Sequence, residues 1–134
     1  MIDLNYSFRF DGGKVLQEQM FTKQDWKLFR TKLSGWQEAY MGRLCSEYIE
    51  LLSGDQVSSE KFWQLDKRIK EDKRKPGIQL QLSRSNMIYN ILALIYDGAI
   101  SAADLEDFSD ELKERIDFFL EREKENSMDT EQIN

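Results

Sequence analysis

The chain has 134 residues, 40% of them hydrophobic, three Trp, five Tyr and eight Phe among them, and a net charge of −6. That length suits one domain around one hydrophobic core, and no apolar run approaches the roughly 18 residues of a membrane-crossing helix, so a soluble protein is expected. Histidine is absent, which removes the commonest metal ligand, the commonest base near neutral pH and every nucleophile pair built on imidazole.

The start, Met1-Ile2-Asp3, lacks the basic patch and apolar segment of a secretory leader, so the cytoplasm is the expected compartment. Leu4, Tyr6, Phe8 and Phe10 then alternate with Asn5, Ser7 and Arg9, the period of a half-buried strand. Asp11-Gly12-Gly13 tolerates a tight turn and residues 14–21 continue extended, so a β-hairpin is predicted.

Thr22 with Asp25 three residues on has capping-box spacing. Trp26, Phe29, Leu33, Trp36, Tyr40, Leu44, Tyr48 and Leu51 follow at intervals of three or four, predicting one long helix over 22–53. Gly35 and Gly42 inside it mark close backbone packing or a kink, of which close packing is favoured. Cys45, between Leu44 and Tyr48, reads as a small buried hydrophobe.

Ser53-Gly54 suggests a left-handed stop. Ser58 reads as the next cap, with Val57 and Phe62 as its hydrophobic staple. Phe62, Leu65 and Ile69 mark the buried face of a second helix that Pro76-Gly77 terminates. Residues 78–82, Ile-Gln-Leu-Gln-Leu, alternate strictly and predict a short strand joining the hairpin.

Ser83 or Ser85 opens a third helix with Ile88, Ile91, Leu92 and Ile95 on one face, ended by Asp97-Gly98. Ser101 with Asp104 caps a short segment, and Ser109 caps a last helix whose Leu112, Ile116, Phe119 and Leu120 face inward. The expected fold class is α+β and predominantly helical: four to five helices packed with a small antiparallel sheet made of the N-terminal β-hairpin plus one short strand. Residues 1–125 form the expected single domain, and 126–134 a polar tail that frays.

Charge divides along the chain. From Asp104 onward there are twelve acids and four bases, a balance of −8, while the remaining thirteen acids and fifteen bases carry +2. Lys67, Arg68, Lys70, Lys73, Arg74 and Lys75 are a candidate contact for nucleic acid or a partner, although cations also complement a helix C-terminus and Glu71 and Asp72 dilute their field. Asp104, Asp107, Asp110, Glu111, Glu114 and Asp117 are a candidate acidic interaction face. They sit in a generally acidic stretch with no phosphate loop or metal-ligand spacing, so no catalytic residue, metal or cofactor is assigned.

The order 91–96, Asp97-Gly98 turn, 101–105 and Ser109 onward resembles the rhythm of a winged-helix or helix-turn-helix unit. Its reading helix would open with Asp110, Glu111 and Glu114, which repel a phosphate backbone. Trp63 falls beside Phe62 rather than in phase with the buried face, which marks it as a candidate exposed contact. The sequence therefore points to a non-enzymatic regulatory or accessory factor that binds another protein, with a homodimer possible. The alternatives are a nucleic-acid-associated factor using residues 67–75 and an acidic nucleic-acid mimic using the C-terminal helix.

Overall fold

A computed structural model describes the backbone of residues 21–133 and the side chains of residues 21–127. Four α-helices make up this part: α1 (Lys23–Leu52), α2 (Ser58–Asp72), α3 (Met87–Tyr96) and α4 (Asp110–Ile133), with 3₁₀ turns at Arg84–Asn86 and Ala102–Leu105.

The capping box that opens α1 forms as expected: the Asp25 N–H donates to Thr22 Oγ1 at 3.0 Å, and the Thr22 N–H donates to Asp25 Oδ2 at 2.9 Å. The helix is 30 residues long, about 45 Å at 1.5 Å per residue. Phe29, Leu33, Tyr40 and Leu44 are its buried stripe, and Trp26, Trp36 and Tyr48 pack half-buried against the same core.

Helix α3 supplies Met87, Ile88, Ile91, Leu92 and Leu94, and α4 supplies Leu112 and Ile116. The connection at 97–109 seals the core with Ala99, Ile100, Leu105 and Phe108. Gly98, at φ 75°, ends α3 in the left-handed conformation that costs glycine nothing. The N–H groups of Gly98 and Ala99 then close back on Ile95 O and Leu94 O, a Schellman pattern. Arg43 of α1 donates to the carbonyls of Gly98 and Ala99 at 2.8 and 3.2 Å, fixing this turn against the long helix.

The start of α4 is tied to the start of α1 through a single buried acid. Asp25, 2% exposed, accepts from the Ser109 N–H at 2.8 Å and from its hydroxyl, while Ser109 Oγ accepts from the Leu112 N–H at 3.2 Å. One carboxylate thus serves the caps of two helices.

Several expectations are corrected. No strand occurs among the described residues, so the α+β assignment with its small sheet gives way to a helical architecture. The hairpin over 4–10 and 14–21 lies outside the described residues, Phe21 excepted. Residues 78–82 form no ladder: the N–H groups of Ile78 and Gln79 both turn back to Lys75 O, at 2.9 and 3.0 Å. Ile78 and Leu80 still face the core, so the alternation reports an irregular segment lying half-buried on helices. A period of two marks burial on one side, with or without a neighbouring strand.

Gly35 and Gly42 face open space, not a close neighbour. Gly77 is the glycine that close packing requires, because a Cβ there would overlap the Tyr40 ring. Gly54 has no positive φ, and α1 ends on Ser53 in ordinary helical geometry. Val57, not Ser58, occupies the cap position of α2, with no side-chain cap bond. Cys45 is exposed. The short capped segment expected after Ser101 is the 3₁₀ turn Ala102–Leu105 between α3 and α4, with the Ser101–Asp104 capping box formed.

Candidate interaction surface

Helix α2 buries no apolar residue completely; its one buried residue is Asp72. Leu65 and Ile69 are half-buried. Polar contacts join its C-terminal end to α1. The Tyr48 hydroxyl of α1 donates to Asp72 Oδ2, and Arg68 Nη2 lies 2.7 Å from Glu47 Oε1 and 3.5 Å from Asp72 Oδ2. Burial, then the hydrogen bond to Asp72 and its charge, push the Tyr48 phenol up to about 12.

The opposite end of α2 is uncovered. Phe62 lies in phase with Leu65 and Ile69, yet it is 63% exposed, and neighbouring Trp63 is 64% exposed. Their rings meet edge to face with centroids 4.9 Å apart, a favoured aromatic geometry. The face that packs near the end of α2 is therefore bare near its start. Phe62 was expected in the core and is not, whereas Trp63 stands where the sequence places it.

The six cations of residues 67–75 do not share one face. Arg68 turns to Glu47 and Asp72, and Lys70 pairs with Asp66 at 2.9 Å. Lys73 is the C-cap, and Lys75 is half-buried in the turn that follows. Trp63, Lys67 and Lys70 recur at i, i+4 and i+7, so they form one exposed row, which Arg74 continues just past the helix end.

The acids divide similarly. Asp104 accepts from the Ser101 N–H at 2.8 Å as a capping group, and Asp107 pairs with Lys32 at 3.4 Å. Asp110, Glu114 and Asp117 fall on one exposed face of α4, opposite buried Leu112 and Ile116, and Asp110 lies 3.6 Å from Lys113. Glu111 flanks this row beside Arg115 and Phe118, with which it and Glu114 line a shallow pocket of about 290 Å³. Among the described residues no group of His, Cys, Asp or Glu is arranged to hold a metal ion, and no helix is long and apolar enough to cross a membrane.

Sequence reasoning missed Tyr89 and Tyr96, which are 70% and 53% exposed on a helix that is apolar but for Asn90 and these two tyrosines. They line a groove of about 310 Å³ between α3 and α4, with Leu92, Phe119 and Arg122. Their spacing of seven residues was the available signal. No family model matches the chain, and no curated protein or solved structure matches it.

Proposed function

We propose that this chain acts without catalysis of its own, as a small regulatory or accessory factor that binds another protein through the exposed face of α2. The observation that carries this reading is the bare aromatic pair, Phe62 and Trp63, near the start of a helix whose core-facing side is uncovered there. Aromatic residues at such positions supply most of the binding energy when a partner pocket closes over them. Lys67, Lys70 and Arg74 continue the row from Trp63, so the fitting partner offers an apolar pocket with acids along one side.

A photo-crosslinking residue at position 63, in the native host, should trap a specific partner that the same residue at exposed Glu50 does not. Phe62→Ala with Trp63→Ala should weaken that association about tenfold or more without loss of helicity. Identical adducts from positions 63 and 50 would refute the proposal. DNA or RNA binding at low salt, lost on changing Lys73, Arg74 and Lys75 to alanine, would favour the nucleic-acid reading instead.

The row of Asp110, Glu114 and Asp117 favours a second reading, in which α4 imitates a nucleic-acid backbone toward a basic partner. Its steps of four and three residues are about 6 and 4.5 Å along the helix axis. Reversing Glu114 and Asp117 to lysine should then abolish inhibition of a DNA-binding partner and leave crosslinking from position 63 intact.

A further inference from the structure

The chemistry that fits the bare face of α2 is present on the chain itself. Counting from Trp63, the α2 segment carries Asp66, Lys67, Lys70 and Arg74 at i+3, i+4, i+7 and i+11. Counting from Asp110, α4 carries Lys113, Glu114, Asp117 and Glu121 at the same positions. The signs are opposite at every one. Over residues 58–75 seven bases and four acids leave +3, and over 110–127 seven acids and four bases leave −3.

Both rows are open to a partner. Lys67, Lys70 and Arg74 are exposed, as are Glu114, Asp117 and Glu121. Lys70 pairs with Asp66, and Lys113 lies near Asp110, each within its own helix. Among the described residues Lys67, Arg74, Glu114, Asp117 and Glu121 have no ion partner, and no hydrogen bond or ion pair joins α2 to α4 within the chain. Each face repels a second copy of itself and attracts a copy of the other, which selects the unlike pairing.

The apolar parts match as well. Phe118 is 48% exposed and shares the shallow pocket of α4 with Glu111, Glu114 and Arg115. Arg115 and Arg122 lie over its ring, 5.9 and 5.7 Å from the centroid. An indole entering beside Phe118 meets a ring and two planar cations, both of which favour an aromatic face.

We propose that the face of α2 docks on α4 of a second copy of this chain, with Trp63 beside Phe118 and the row Lys67, Lys70, Arg74 against Glu114, Asp117 and Glu121. The proposal rests on the reading of α2 as a protein-binding face and names its partner.

Sedimentation of the purified chain should show a mass that rises above the monomer with concentration. Raising sodium chloride from about 0.05 to about 0.5 M should weaken the association about tenfold. Lys67→Glu with Arg74→Glu should leave the chain monomeric, and so should Glu114→Lys with Asp117→Lys, because each variant carries one sign on both faces. Mixed in equal amounts, the two variants should associate again, since every α2–α4 contact between them is complementary. An unaltered chain that stays monomeric at about 0.5 mM, or a mixture that stays monomeric, overturns the proposal. Crosslinking from position 63 separates this failure from failure of the underlying reading: an adduct with a different protein overturns the self-pairing alone, and loss of every specific adduct removes both. Glu114→Lys with Asp117→Lys should abolish a self-adduct from position 63, and its retention would count against α4 as the docking face.

Discussion

Replacing Asp25 with alanine tests the idea that one carboxylate closes two helices. The change removes the side-chain half of the α1 capping box and leaves the N–H groups of Thr22 and Ser109 and the Ser109 hydroxyl without their acceptor. Loss of an N-cap costs about 1 kcal/mol, and a buried donor left unpaired costs about 1–3 kcal/mol. Asp25 is almost fully buried, so water cannot replace it, and the expected loss is about 3–5 kcal/mol. That is a large share of the roughly 5–15 kcal/mol that holds a domain together. Asp25→Asn retains one acceptor oxygen and should cost about half as much. Urea unfolding followed by helical circular dichroism measures both, and an unchanged m-value shows that the same surface is exposed. Ser109→Ala should cost clearly less in the Asp25→Ala background than alone, because the two residues share their bonds. An Asp25→Ala loss below about 1 kcal/mol, or strict additivity with Ser109→Ala, would refute the shared cap.

Gly35→Ala and Gly42→Ala should each stabilise the protein by about 1 kcal/mol in the same urea assay, since both sites are helical and face open space. Gly77→Ala should instead destabilise it by about 1–3 kcal/mol, because the new methyl group meets the Tyr40 ring. The Tyr48 phenol is raised from 10.0 to about 12. Burial of the neutral phenol, with its hydrogen bond to Asp72, therefore contributes stability that is fully present below pH 10 and is lost as pH rises toward 12. Tyr48→Phe should flatten the fall in thermal stability across that window, and an equally steep fall in the variant would count against the Tyr48–Asp72 link.

The helices and their caps were legible because their signals are local. Thr22 and Asp25, Ser101 and Asp104, and Gly98 each act within a few residues, and each does what its spacing implies. What the sequence could not show is that Asp25 also reaches Ser109, 84 residues away. Both residues read as satisfied by their own helices, and only tertiary packing brings two helix starts together. The error at 78–82 has the same root, since alternation reveals which side chains are buried and is silent on what buries them. Cys45 was misjudged because apolar neighbours in sequence lie on different sides of a helix: buried Leu44 is next to it, but exposed Met41 and Ile49 are the residues one turn away.

The same distinction explains why Trp63 was found and Phe62 misplaced. A helical period identifies a face, and Phe62, Leu65 and Ile69 do share one. Whether that face is covered depends on where the neighbouring helix lies, and the side-chain bonds between α1 and α2 run from Tyr48 and Glu47 to Asp72 and Arg68, at the far end of α2 from Phe62. The remainder of α2 starts at an uncapped Val57 and extends its apolar side into solvent. A helix with so little buried apolar surface contributes little to the core, and segments of that kind open at lower free energy than the core does. The exposed aromatics are thus carried on the one of the four helices that buries no apolar residue completely. Its C-terminal end is fixed by Asp72 and Arg68 beside half-buried Leu65 and Ile69, while Phe62 and Trp63 near its start stay exposed.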